Sequence, residues 1–448
     1  MNHPPSAACP GPALHLADCA QRFAEVHPPL SSVQARIEAE RCYYCFDAPC
    51  QNACPTGIDV PSFIARIAQG NPRGAAHKIL EDNVLGGMCA RVCPTEVLCE
   101  QACVRNKAED KPVEIGPLQR YATDHHFAHP APPLFTRAPS TGRCIAVVGA
   151  GPAGLSCAHR LALLGHSVVV FDARAKHGGL NEYGLARYKM EDGFAQREID
   201  WLLTIGGIEI RHGTALGRDV SLEQLIDGFD AVFLGLGLAA VNHLGLQEPQ
   251  ARGLRDAVDF IAELRQAQDL STVAVGAKVV VIGGGMTAVD AAVQAKKLGA
   301  DHVTMVYRRG PTDMGASAYE QNFARENGVR IEHWAAPATI VAQDGAVSAV
   351  QFTRTTLVDG RLQNTPERFE IEADMVLRAI GQSFVSEGVR AITLKEGRIA
   401  TDANGHTNHA KVWAGGDCRH GGKDLTVEAV QHGKLAAIDI DRSLRAAH

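Results

Sequence analysis

The sequence predicts an α/β chain. A small helical head, crowded with cysteine, precedes two folds of alternating strand and helix, the second inserted in the first. Three observations carry that expectation. Eight of the 13 cysteines lie between Cys42 and Cys103. A run of strand, glycine turn, helix and strand occupies residues 144–172, and a second run of the same kind starts at Lys278. A further short strand with a Gly-Gly-Asp turn, residues 412–417, comes long after the second run and reads as the return of the first fold. At about 100–200 residues per domain, a chain of 448 residues holds two to four domains.

Composition narrows the function classes. Hydrophobic residues make up 46% and charged residues 21%, the balance of a globular chain. The 44 Lys and Arg against 50 Asp and Glu give −6. Binding a phosphate backbone needs a basic face, so nucleic acid is not an expected partner. No run of 18 apolar residues exists to span a bilayer. Residues 1–12 are rich in proline and lack the basic and apolar regions of a secretory signal, which points to the cytoplasm. Cysteines in such a chain are reduced thiols or metal ligands before they are disulfides. Residues 1–34, with Pro4, Pro5, Pro10, Pro12, Pro28 and Pro29, read as an arm lying on the surface or on a partner.

The head follows at 35–128. Its cysteines read Cys42-x2-Cys45-x4-Cys50-x3-Cys54-Pro55 and Cys89-x3-Cys93-Pro94-x4-Cys99-x3-Cys103. Two groups of four, each with a Cys-Pro, resemble iron–sulfur ligand runs. A cubane needs four ligands converging on one small object. Short spacings let one loop supply three of them, and proline after a ligand stops a helix from continuing. Zinc ligand pairs stand two to four residues apart and often include histidine, and no histidine sits at the right distance here. Eight thiols favour two clusters over one. Apolar residues at three- and four-residue spacing over 62–69 and 75–80 make the head helical. Its apolar content is low, so the metal centres are expected to supply much of its folding energy. Residues 129–142 (HPAPPLFTRAPSTG) read as a linker.

The two glycine runs come next. In the first, an apolar strand over 145–148 leads into Gly149-x-Gly151-x-x-Gly154, a helix, a strand over 168–171 and then Asp172. The first glycine allows the tight turn, the second lets backbone approach a pyrophosphate, and the third lets the helix pack on the strand. The helix N-terminus offers unpaired N–H groups to the phosphates, and the acid is placed to accept from a ribose hydroxyl. In the second run the turn is Gly283-x-Gly285-x-x-Ala288, and its second strand, 303–307, ends in Arg308-Arg309. That basic pair can meet a 2′-phosphate or form a solvated turn. Two such sites imply two dinucleotides, most economically a flavin and a nicotinamide. Asp417 can bind a flavin ribityl or phosphate arm, and a helix over 426–437 can aim its N-terminus at the ring.

The flavin candidates are Gly149, Gly151, Pro152, Ala153, Gly154, Asp172, Gly179, Leu180, Lys189, Gly416, Asp417 and Thr426. The nicotinamide candidates are Gly283, Gly284, Gly285, Met286, Thr287, Ala288, Arg308, Arg309, Ala379 and Gly381. The expected domains are 143–250 with 375–448 for the flavin and 251–374 for the nicotinamide. Hydride transfer needs positioning more than acid–base chemistry, so no catalytic acid or base is expected. Cys144 and Cys157 read as core, and Cys418 as a thiol beside the flavin.

Together, the eight-cysteine block, VVGAGPAGLSCA, the Gly178-Gly179-Leu180 turn, VVVIGGGMTAVDAA and AGGDCRHGGKDLTVEAVQHGK resemble a known module. It is the FAD-, NAD(P)- and iron–sulfur-containing module shared by dihydropyrimidine dehydrogenases and the glutamate synthase small subunit. The likeness runs from about residue 35 to the end. Gly116-Pro117-Leu118-Gln119-Arg120 is most similar to the flavin/iron–sulfur subunit of the bacterial NAD-dependent dihydropyrimidine dehydrogenases. In that family a Gln at this distance completes the second cluster. The resemblance therefore implies one [4Fe–4S] cluster on Cys42, Cys45, Cys50 and Cys103 and another on Cys54, Cys93, Cys99 and Gln119, with Cys89 a bystander. The count of thiols alone prefers Cys89.

The resemblance also implies that NADH delivers hydride to FAD and that electrons leave singly through the two clusters. Full-length family enzymes carry a further FMN barrel that reduces uracil or thymine. No such barrel precedes His448, so a second polypeptide, an FMN/iron–sulfur subunit, is the implied partner in a heterotetramer. NADPH-using relatives carry another Arg shortly after the basic pair. Here the stretch reads Pro311-Thr312-Asp313-Met314-Gly315, which favours NAD(H) and leaves NADP(H) open. A glutamate synthase small subunit or a stand-alone NAD(P)H:acceptor reductase is the alternative.

Overall fold

In a computed structural model, residues 16–129, 131–191 and 193–446 are described. Cys9 and Pro4, Pro5, Pro10 and Pro12 lie outside the described residues. The chain forms two compact units, one drawn from within 27–182, 193–239 and 384–446, the other from within 16–26, 183–191 and 240–383.

The first unit holds the helical head. Helices Val60–Ala68 and Pro72–Asp82 stand where the apolar spacing predicts them, and each starts on a side-chain cap. Asp59 accepts from the Ser62 amide at 3.1 Å, and Asn71 from that of Gly74 at 2.8 Å. Their apolar faces meet helix Ile115–Ala128 in a core of Phe63, Ile64, Ile79, Leu80 and Leu118, each at most 2% exposed. Five of the clustered cysteines pack against this core.

A five-stranded parallel sheet follows in the same unit, in the order Val412–Ala414, Ala231–Leu234, Cys144–Val148, Ser167–Phe171 and Ile208–Arg211. The last strand in sequence thus lies beside one nearly 180 residues earlier, as expected of a discontinuous fold. The residues expected to link head and sheet strap the two together. Arg137 Nη2 donates to the His166 carbonyl at 2.8 Å, and Arg73 Nη2 of the head donates to the Pro132 carbonyl at 2.6 Å. Outside the linker, Glu198 accepts from the Gly87 amide of the head at 2.7 Å.

The second unit has its own parallel sheet, ordered Leu254–Asp256, Met375–Arg378, Lys278–Ile282, His302–Tyr307 and Val329–His333. Beside it, Ala335–Gln343, Ala346–Val358 and Arg361–Glu372 form an antiparallel sheet that the glycine motifs gave no reason to expect. The chain crosses between units at 239/240 and 383/384, against the expected 250/251 and 374/375. The reason is pairing: Met375–Arg378 is an inner strand of the second sheet, and Gln382–Ser383 pairs with Ala240–Val241.

Candidate active site

The first glycine turn opens on a cavity of about 480 Å³. Gly149 sits at φ +100°, and a Cβ there would strike the Gly235 carbonyl, so only glycine fits. A Cβ on Gly154 would collide with the Gly149 carbonyl oxygen, which is how closely helix Pro152–Leu163 crosses the turn. No side chain caps that helix, so its first N–H groups stay available to an anion. Ten of the twelve expected flavin residues line the cavity: Gly149, Gly151, Pro152, Ala153, Asp172, Gly179, Leu180, Gly416, Asp417 and Thr426. Gly154 lies behind it as a packing residue.

Asp172 accepts from the Ala150 amide at 2.6 Å and the Arg174 amide at 2.7 Å, so its carboxylate also braces the turn. Burial, and then Asp424, push Asp417 up to about 7. An acid poised there repels a phosphate arm less than an ordinary carboxylate does. The expectations missed the lining from 214–218 and from Phe384, Val385 and 387–389, which has no motif to mark it. Cys418 is fully buried, its thiol donates to the Gly415 carbonyl, and burial raises it to about 11, which is the profile of a packing thiol.

Lys189 is the exception among the flavin candidates. It belongs to the second unit, where its Nζ lies 2.8 Å from Asp290 and 2.9 Å from Glu320. Tyr188 donates to the same Asp290 at 3.0 Å. Two carboxylates occupy the ammonium expected at the flavin, and it does not line the cavity of the first glycine turn.

The second glycine turn has a similar build. Helix Met286–Lys297, which begins with Met286, Thr287 and Ala288, starts without a side-chain cap after Gly285. A Cβ at Gly285 would meet nothing within 4 Å, so the outer side of the turn is open to a ligand. The Tyr307 ring covers Gly284, and Ala379, whose amide donates to the Ile282 carbonyl at 2.8 Å, backs Gly283. Gly381 accepts from the Asn242 amide at 3.1 Å. Arg308 and Arg309 have exposed side chains and tethered carbonyls, which accept from Thr355 Oγ1 and the Trp334 amide. The loop after them folds back, with the Ala316 amide donating to the Gly284 carbonyl at 3.0 Å.

In the head, Cys42, Cys45, Cys50 and Cys103 line one small cavity. Burial, together with Cys42 and Cys103, pushes the Cys50 thiol up to about 11. The other group gathers around Cys93. A hydrogen bond donated to Cys89, burial, and the nearness of Cys99 and Cys54 raise the Cys93 thiol far above its usual value. Gln119 is buried, with Nε2 donating to the Gly86 carbonyl at 2.7 Å, so of the amide's two ends the oxygen is the one able to ligate. All twelve described cysteines are free thiols. Cys42, Cys50, Cys93 and Cys99, which burial and neighbouring thiols hold against ionisation, are relieved by a cationic iron core, so the donor set fits one. Among the described residues no three of these groups already stand as a single-ion cage. A cubane is wider than one ion and is ringed from farther apart.

Two uncapped glycine turns, one opening on a cavity, and a cysteine-lined head define the class: a redox protein built for two dinucleotides and iron–sulfur centres. Comparison with known proteins makes the class particular. Residues 143–433 match the pyridine nucleotide-disulphide oxidoreductases, and the chain belongs to that family. Residues 19–131 match dihydropyrimidine dehydrogenase domain II, a 4Fe-4S cluster domain. The glutamate synthase [NADPH] small chain of Escherichia coli K12 is 35% identical over 93% of this chain and 92% of its own length. The NAD-dependent dihydropyrimidine dehydrogenase subunit PreT of the same organism is 34% identical over 94% and 97%. The oxidoreductase FprA of Mycobacterium tuberculosis shares the fold, with TM-score 0.58 and 18% identity over 69% of this chain and 86% of FprA. The chain is thus an NAD(P)H-dependent oxidoreductase that uses FAD and 4Fe-4S chemistry. No described helix is long and apolar enough to cross a membrane.

Proposed function

We propose that this chain is the electron-input subunit of a cytoplasmic dihydropyrimidine dehydrogenase. NADH is oxidised here, and electrons pass to a partner FMN/iron–sulfur subunit that interconverts uracil or thymine with their 5,6-dihydro forms. When bound, FAD accepts a hydride and the clusters carry electrons away one at a time. The chain's own residues bind and orient. The first glycine turn, Asp172 and Asp417 hold the flavin; the second turn with Arg308 and Arg309 holds the nicotinamide. Cys42, Cys45, Cys50 and Cys103 hold one cluster, and Cys54, Cys93, Cys99 and Gln119 the other.

The observation that carries this reading is the buried Gln119 in the Gly-Pro-Leu-Gln-Arg stretch, whose amide is tied to Gly86, the first residue of the helix that carries Cys89 and ends at Cys93. The likeness to PreT over nearly its whole length supports it. The likeness to the glutamate synthase small chain favours a second reading, a subunit serving glutamine and 2-oxoglutarate. Purification with a co-expressed partner subunit, followed by NADH- and NADPH-linked assays on uracil and on glutamine plus 2-oxoglutarate, separates the two. Uracil-dependent NADH oxidation is expected; turnover only with glutamine would overturn the reading. Cys89→Ser is expected to keep both cluster EPR signals, and loss of one would reassign the ligand.

A further inference from the structure

We propose that Lys434 is a positioning residue for electron transfer, tying the flavin-side helix to the loop of Cys54 and favouring, by its charge, the reduced state of the cluster that Cys54 holds. This rests on the ligand assignment above. Helix Thr426–Ala446 begins at the flavin cavity, which Thr426 and Ala429 line. It is pinned at Gly433, where a Cβ would collide with the Ala153 carbonyl of the phosphate-binding helix. The next residue, Lys434, leaves the helix toward the head. Its Nζ donates to the Thr56 carbonyl at 3.0 Å and the Asp82 carbonyl at 2.9 Å. Thr56 Oγ1 in turn lies 3.3 Å from Cys54 Sγ. One side chain thus spans the helix that starts at the flavin and the loop that presents a cluster ligand.

The charge needs its own explanation. Two carbonyls could be satisfied by a neutral donor, and burying an ammonium is costly unless something negative requires it. The Lys434 side chain is 13% exposed, and its nearest carboxylate, Asp82, is 3.7 Å away and 33% exposed. Asp82 is thus too loose and too well solvated to neutralise it fully. Burial pulls the ammonium down, Asp82 holds it up, Arg160 opposes it, and Cys54 adds to the support. In the transfer step no bond forms or breaks: reduced flavin loses one electron and the cluster gains one, becoming one charge more negative. The ammonium keeps its protons, and a fixed cation beside the ligand loop stabilises that added charge.

The test is an EPR-monitored redox titration of the full chain, with iron, sulfide and FAD content measured alongside. Lys434→Gln is expected to keep its cofactors and to lower the potential of one cluster, the tenfold loss in electron share that corresponds to about 59 mV. Lys434→Arg is expected to restore it. Unchanged potentials in Lys434→Gln, or no rescue by Lys434→Arg, would overturn the proposal. If Lys434→Gln fails to load iron, Lys434→Met, which removes the charge and keeps the stem packed, is read in its place, and an unmoved potential there overturns the proposal. Wild-type protein lacking iron would sink the parent ligand assignment instead, and that is visible before any variant is made.

Discussion

Lys189 illustrates how far a single side chain can depart from its neighbours in sequence. Its two carboxylate partners stand 101 and 131 positions later, and nothing local announces them. Lys189→Met removes the cation from between Asp290 and Glu320, and breaking such a buried set costs about 3–5 kcal/mol. Denaturant unfolding is expected to show that loss while FAD content stays at wild-type level; flavin loss would return Lys189 to the flavin. Glu198 makes the opposite point about charge. Burial drives it up to about 8, against the Gly87 and Met88 amides and Arg91, which pull it down. Between about 4.5 and 8 the folded state therefore holds a proton that the unfolded state has released. Stability falls as pH rises through that window, by on the order of a few kcal/mol. Glu198→Gln carries no such proton, and its unfolding free energy is expected to vary less from pH 5 to 8 than that of the wild type. The glycines were legible because each needs one backbone conformation or one close approach. The partners of Lys189 and Glu198 were not, because long-range pairing leaves no periodic trace.

At the scale of elements, the strand–turn–helix units could be read because each carries its motif within about 30 residues. The antiparallel sheet was also readable, though the glycine motifs drew attention elsewhere. Asp344-Gly345 and Asp359-Gly360, all at positive φ between 51° and 73°, join its three strands as tight hairpins. The part of the first glycine turn's cavity lined from 214–218 and 384–389 had no such signal, since it is loop brought in by topology. The loop after Arg309 bears on nucleotide choice. Tyr307 donates from its hydroxyl to the Asp313 carbonyl at 2.7 Å, and Ala316 holds the Gly284 carbonyl, so exposed Asp313 is fixed near the second glycine turn. An acid there repels a 2′-phosphate. Asp313→Arg exchanges that repulsion for a charge-assisted bond worth about 1.5–3 kcal/mol. The ratio of kcat/KM for NADPH over NADH is expected to rise at least about tenfold in a dye-reduction assay, and an unchanged ratio would place the 2′ position elsewhere.

On the scale of the molecule, the joining of head and flavin fold into one unit changes what iron removal should do. The low apolar content of residues 35–128 suggested a head folded by its metals. Yet Phe63, Ile64, Ile79, Leu80 and Leu118 make a core of their own, and helix Phe194–Leu203 supports it through Glu198. The sheet cores, built on residues such as Val147, Val170 and Phe233, contain none of the eight clustered cysteines. Without iron the thiols of Cys42, Cys50, Cys93 and Cys99, pushed up by burial and by their neighbours, stay protonated, and loading iron must release those protons. Stripping the iron anaerobically is therefore expected to loosen the ligand loops around 42–54 and 89–103 without unfolding the parallel sheet. Hydrogen exchange should show protection lost there and kept over 144–148 and 231–234. The affinity for iron should rise with pH as proton release becomes easier. Loss of protection across the whole unit would mean that the metals hold the flavin fold together as well, and the core of the head would then be too small to stand alone.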